Sequence, residues 1–168
     1  MKDTKDLLEG LRRSPKILSE FINSLPEDRM NVRRGKGFWT IAEHIMHLAE
    51  VQPMLLERIQ RFIHEDHPNI IPYNPGINDK DERKDIPDAS SRTDVTTALE
   101  RFARYRKKQR ALLKDLDRAT WQKTGTHPEY ELYSLYILVR HMLMHDFWHM
   151  YRMEELWLGK NVSLTTME

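Results

Sequence analysis

Trp39-Thr40-Ile41-Ala42-Glu43-His44-Ile45-Met46-His47-Leu48-Ala49-Glu50 is the stretch whose reading decides the fold. Thr40 and Glu43 have the spacing of a capping box, in which a hydroxyl and a carboxylate reciprocally satisfy two orphan backbone donors at a helix start. Trp39, just before the cap, stands where a hydrophobic staple would. From there Ile41, Ile45, Leu48, Gln52, Leu55, Ile59 and Phe62 recur at intervals of three and four, one stripe along a helix. Pro53 lies inside the stripe and has no N–H for the carbonyl four residues back, so a bend is predicted there rather than a stop.

Working outward, residues 4–25 carry Leu7, Leu8, Leu11, Ile17, Leu18, Phe21, Ile22 and Leu25 at the same spacing, and Pro26 ends the run. Ser14-Pro15 within it predicts either a short helix followed by a second or a kink. A third helix is predicted from 93 or 94 to 116, with Val95, Leu99, Phe102, Leu112, Leu113 and Leu116 on its core side. A loop holding Trp121, Gly125 and His127-Pro128 follows. Ser134 then caps a fourth helix that runs to Leu158 and ends at Gly159. Residues 65–92, with Pro68, Pro72, Pro75, Gly76 and Pro87 among dense Asp and Lys, form a long irregular connection between the second and third helices. The fold class is therefore all-α, a four-helix bundle in a single domain over 1–168, with about 160–168 as a loosely held tail.

Composition narrows the function. The 168 residues include 27 Lys+Arg against 26 Asp+Glu, a net charge of +1, so long-range charge steering is not the main device. There is no cysteine, which excludes disulfide scaffolds, thiolate zinc sites, iron–sulfur clusters and thiol nucleophiles. No apolar signal segment follows the N-terminal Met-Lys-Asp-Thr-Lys-Asp. The most apolar run, 132–151, is interrupted by Arg140, Asp146 and three histidines, which suits a buried helix and not a membrane span. A cytoplasmic protein is expected.

Eight histidines are present, and their placement is informative. His141, His145 and His149 are spaced by four on the fourth helix, so successive rings are offset by only about 40°. His145 and His149 fall in the apolar arc with Leu138, Met142, Met153 and Leu156, whereas His141 sits at its shoulder beside Arg152. Two neutral imidazoles at i and i+4 can reach one metal ion; the same pattern also serves as core histidines bonded to backbone or water. Asp146 projects into the arc too, where a carboxylate needs a partner. That partner is either a ligand histidine held in its tautomer or an Arg or Tyr on a neighbouring helix. A third ligand must come from another helix. The second helix offers His44 and His47, and periodicity places His44 nearer the core and His47 on the flank.

The 39–50 stretch resembles the second-helix signature of the DinB/YfiT-like superfamily of metal-dependent enzymes. His127-Pro128-Glu129, followed by His145-Asp146-Phe147-Trp148-His149, is similar to that family's last-helix signature, and the run from Ser14-Pro15 to Leu25-Pro26-Glu27 also fits. The resemblance covers nearly the whole chain, with nothing specific in 65–92. It implies that the ligand on the second helix is the histidine followed by Leu-Ala-Glu, His47, and that the other two are His145 and His149. One departure matters: many members have Gln three residues after the last ligand, whereas this chain has Arg152, a cation that favours an anionic substrate or pairs with Asp146.

Three neutral imidazoles leave a divalent ion its full charge and an open position, which suits metal-assisted hydrolysis. The resemblance adds transfer to a low-molecular-weight thiol, since some branches are thiol-dependent transferases or isomerases, and it implies a homodimer. Zinc, nickel and iron all suit imidazole ligands. The remaining catalytic candidates are His44, His141, Asp146 and Arg152, and the partner expected is a small-molecule substrate. The alternative is a non-catalytic helical binding module. Arg101, Arg104, Arg106, Lys107, Lys108, Arg110 and Lys114, interleaved with Phe102 and Tyr105, make the third helix basic enough to track phosphates. They spread around the helix, however, and read as a solvated face, so nucleic acid is not expected as a partner. His64-x-x-His67 is a second tempting spacing, placed at a helix end where it should face water.

Overall fold

A computed structural model describes residues 3–35, 38–72 and 92–159. Helix α1 spans Thr4–Ser24 without interruption. Pro15 leaves the Leu11 carbonyl without its helical donor, and the Ser14 hydroxyl donates to that carbonyl at 3.4 Å. Of the two readings of Ser14-Pro15, the second, separate helix is not seen: Pro15 lies inside one continuous helix.

The predicted second helix is two consecutive helices, α2 over Ile41–Glu50 and α3 over Gln52–His64. The capping box forms: the Glu43 N–H donates to Thr40 Oγ1 at 3.1 Å, and the Thr40 N–H donates to Glu43 Oε2 at 2.7 Å. The joint falls at Val51, two residues before Pro53, and the Gln52 side-chain amide reaches back to the Leu48 carbonyl at 2.8 Å. A side chain thus serves a carbonyl exposed by the joint.

Helix α4 covers Arg92–Leu113, and a five-residue helix α5 covers Arg118–Gln122. Where the sequence suggested only a loop, strands β1 (Thr124–His127) and β2 (Tyr130–Ser134) make an antiparallel hairpin. Its outer edge is held by the preceding connection, with the Ile70 N–H donating to the Thr126 carbonyl at 2.8 Å. Gly125 is required there, because a Cβ would come well inside van der Waals contact with the Pro68 carbonyl oxygen. The strands are too short for their alternation to show as a period. Helix α6, Leu135–Leu158, starts on a Ser134 hydroxyl that accepts from the Ile137 N–H at 3.3 Å, and it ends at Gly159 as read.

The long helices α1, α2–α3, α4 and α6 form the four-helix bundle. Residues 73–91 of the expected connection, and the expected tail at 160–168, lie outside the described residues. No described helix is long and apolar enough to cross a membrane.

Two apolar cores stack along the bundle. One gathers Leu18, Ile22, Ile45, Leu48, Phe102 and Met153, and the other Leu11, Ile59, Phe62, Leu113, Leu138 and Met142. Between them on every long helix lies a buried polar residue: Ser14, Gln52, Arg106, Gln109 and Asp146. Arg106 corrects the reading of α4. It is only 1% exposed and belongs to no solvated face. Val95, Ala98, Phe102, Arg106, Gln109 and Leu113 form one stripe, and the gap that the apolar pattern left between 102 and 112 is filled by a polar layer. The polar layer stands at the level of His145 and His149, so it braces the segment of α6 from which both rings project.

Candidate metal centre

The capping box fixes where α2 starts, and with it the directions of His44 and His47. Both point at α6, as do the rings of His145 and His149 pointing back. One nitrogen from each of His47, His145 and His149 lies within 4.8 Å of the other two. His47 Nε2 and His145 Nε2 are 3.3 Å apart, and His145 Nε2 and His149 Nε2 are 3.1 Å apart. Behind them, His149 Nδ1 meets His44 Nδ1 at 2.8 Å.

These contacts cannot all be ordinary hydrogen bonds. A neutral imidazole nitrogen carries either one proton or one lone pair. His145 Nε2 has two close imidazole nitrogens, so it can serve one of them but not both. Protonating the rings does not resolve this near neutrality, because burial holds His47 down at about 4 and His145 at about 3. His44 is lowered to about 3, by burial first and then by Arg152 and its neighbouring imidazoles. His149 is lowered further by burial and the three other rings. A cation facing three lone pairs removes the conflict. An ion held about 2.0–2.1 Å from each nitrogen in tetrahedral geometry sets neighbouring nitrogens about 3.3 Å apart, close to the two separations seen. The third separation, up to 4.8 Å, is wider and closes around an ion only with a small ring rotation; three imidazole donors suit a divalent transition metal.

Tryptophans wall the cluster. The Trp39 ring lies 5.1 Å from His44 and 5.0 Å from His47 between centroids, and it stacks on His149 at 5.9 Å. The staple expected on sequence grounds is thus an indole packed on the histidines. Trp148 meets His149 edge-on at 4.7 Å from the other side. The indoles help to shield His44 and His149, 5% and 2% exposed, from the water that would stabilise imidazolium.

Asp146, 2% exposed, faces away from the cluster and takes both 2.7 Å bonds from Arg106 Nη2. Of its two partners considered from sequence, the neighbouring-helix Arg is the one observed. Burial raises the Asp146 pKa, and the Arg106 charge opposes that rise. Arg106 Nη1 donates to Gln109 Oε1 at 2.8 Å, and Gln109 Nε2 donates to Gln52 Oε1 at 3.0 Å. Arg152 does not reach Asp146 either; it pairs with Glu155 at 2.6 Å.

His141 stands apart from the cluster, on the wall of a pocket of roughly 340 Å³ that opens onto His47 and His145. Val51, Met54, Leu55, Leu138 and Met142 give this pocket an apolar floor. His127, Tyr130, Tyr133 and His141 form a continuous ring-on-ring wall, with centroids 4.6 to 6.1 Å apart. Arg58 completes the lining. Sequence reasoning missed Arg58, Tyr130 and Tyr133 as pocket residues. For Arg58 a signal existed, since His47, Val51, Met54 and Arg58 follow at four, three and four along one helical face. His64 and His67 are exposed, as expected.

Comparisons with known proteins bear on the family and the fold. A family model described as the DinB superfamily matches residues 11–153. A protein of Oceanobacillus iheyensis named "Putative metal-dependent hydrolase" is 26% identical over 115 residues, which is 68% of this chain and 63% of that protein. The chain thus spans less than two thirds of that relative's length. The solved structure of YfiT from Bacillus subtilis, described as "a probable metal-dependent hydrolase with an unusual four-helix bundle topology", superposes with a TM-score of 0.77 at 21% identity. The match covers 93% of this chain and 87% of that one.

Proposed function

Starting from the fact that the chain belongs to the DinB superfamily, we propose that it is a metal-dependent hydrolase of a small molecule, with His47, His145 and His149 holding one divalent transition-metal ion. The observation that carries this reading is the His145 Nε2 atom, pressed between two other imidazole nitrogens with only one proton or lone pair to offer. The relative from Oceanobacillus iheyensis carries the name "Putative metal-dependent hydrolase", which supports the class of reaction.

When bound, such an ion supplies Lewis acidity, polarising a carbonyl or phosphoryl oxygen and acidifying water toward neutrality. The chain does the rest. Offering Nε2 of His149 to an ion requires its proton on Nδ1, where His44 Nδ1 accepts it at 2.8 Å. His44 is therefore a positioning residue, and Trp39 and Trp148 help to shield His44 and His149 from water. The Asp146–Arg106–Gln109–Gln52 chain of bonds locks α6 against α4 and the α2–α3 joint. His141, at the pocket wall, is placed to exchange a proton with a substrate bound there. Hydrolysis adds the hydroxyl of water to the electrophilic carbon and its remaining proton to the departing oxygen or nitrogen. The thiol-transfer alternative and the homodimer rest on the family resemblance alone.

The test is hydrolysis of a panel of small esters, amides and lactones by protein loaded in turn with zinc, nickel and iron(II). Turnover should vanish on chelation, return on readdition, and be absent from His47→Ala. Turnover that survives both chelation and His47→Ala would overturn the proposal, and so would inactivity across the panel with every metal.

A further inference from the structure

The pocket beside the histidines contains a cation that the histidines do not need. Arg58 stands eleven residues after His47, three turns along the same face, so the two side chains border one pocket from opposite ends. Burial disfavours the charged form of its guanidinium, and Tyr133 and the acid Glu57 support it. One of its nitrogens donates to the Ile71 carbonyl at 2.5 Å. No described carboxylate pairs with it within 4.0 Å; the acid in the lining, Glu129, is exposed. The half-buried charge is thus hydrogen-bonded by neutral groups, with no described carboxylate in contact.

Apart from the histidines and the exposed Glu129, the rest of the lining is apolar or aromatic. The Met54 and Leu138 side chains floor it, and Tyr130 and Tyr133, stacked at 5.7 Å, wall it. A partly desolvated guanidinium in such surroundings recognises a planar anion through paired N–H donors. One cation balances one negative charge. In the metal-free pocket a phosphate monoester, which carries about −1.5 to −2 near neutrality, would be left with excess charge beside Arg58. A carboxylate matches. We infer that Arg58 is the anion-binding residue of this pocket and that the ligand is a small carboxylate with an apolar or aromatic body. The carboxylate sits on Arg58 and the reacting bond lies at the His47–His145 end. The position of the reacting bond rests on the hydrolase reading; the carboxylate site does not.

The experiment titrates phenylacetate and its uncharged isostere phenylacetamide into the full chain, both metal-free and zinc-loaded, followed by amide NMR shifts. In the metal-free protein phenylacetate should bind about tenfold more tightly than phenylacetamide, as expected for a charge-assisted pair, with shifts clustered around residues 54–58 and 130–133. Arg58→Met should abolish the preference, and amide shifts unchanged away from residue 58 should show that the variant is folded. Arg58→Lys, which keeps the charge but not the fork, should retain only part of it. Equal affinity for the two probes, failure of both to bind, shifts mapping elsewhere, or a preference that survives Arg58→Met would each overturn the inference. Zinc uptake separates the two ideas. A chain that binds no zinc but shows the Arg58-dependent preference keeps the carboxylate site and loses the hydrolase reading. A zinc-binding chain without the preference does the reverse.

Discussion

His44 shows how one side chain can be read correctly for burial and still be misjudged for role. Periodicity put it nearer the core than His47, and it is buried while His47 is half-buried. Burial, however, removes it from the pocket side of the cluster and places it behind His149, where it accepts a hydrogen bond instead of facing substrate. His44→Ala should therefore weaken zinc binding about 10- to 100-fold, the usual cost of losing a hydrogen-bond partner that orients a ligand. His47→Ala should weaken it more. Competition against a chromophoric chelator measures both; an unchanged affinity in His44→Ala would contradict the positioning role. Arg152 teaches a related lesson. Its spacing from His149 suggested a cation at the site, but an acid three residues on, Glu155, takes its charge. The cation that borders the pocket is Arg58, on a different helix.

At the scale of the element, the helices with sequence-coded ends were legible. The Thr40–Glu43 box and the Ser134 cap both form, because each is decided by contacts within four residues. The hairpin was not legible. Its pairing partners lie across a turn, its edge is held by the distant Pro68–Ile70 segment, and its strands have four and five residues. Arg106 was hidden for another reason: a charged residue in an apolar stripe reads as an interruption unless its partner is known, and Asp146 is 40 residues away. The pair now predicts its own energetics. Removing one member of a buried ion pair strands the other, so Arg106→Met should cost about 3–5 kcal/mol in urea unfolding. The double variant Arg106→Met/Asp146→Leu should recover most of that loss. Additive losses would mean that the two residues are not energetically coupled as their 2.7 Å bonds indicate.

For the molecule as a whole, four imidazoles held neutral link stability to pH. The folded-state values of His44, His47 and His145, about 3, 4 and 3, lie below the unfolded value of 6.5, and His149 is lowered as well. The unfolded chain therefore binds more protons than the native chain at any pH between these limits, and metal-free protein loses stability as pH falls. Stability should be level above about pH 7 and decline below about 6.5, at no more than about 1.4 kcal/mol per pH unit for each ring. Thermal unfolding of the metal-free chain between pH 8 and 5 should show this decline, and His145→Ala/His149→Ala should make it shallower. A melting temperature that stays level to pH 5 would contradict the assignment of neutral, water-excluded rings. The three-histidine cluster was accessible from sequence only through the family resemblance, because the i,i+4 pair on α6 is locally coded while its partner on α2 is brought in by bundle packing.

The most direct test is the metal content of the untagged chain after exposure to zinc, nickel and iron(II), measured by elemental analysis beside His145→Ala/His149→Ala. The three-histidine centre predicts about one equivalent of a transition metal in the wild type and essentially none in the double variant. No metal in the wild type, or equal metal in both, would contradict it and leave the four histidines as a buried structural cluster.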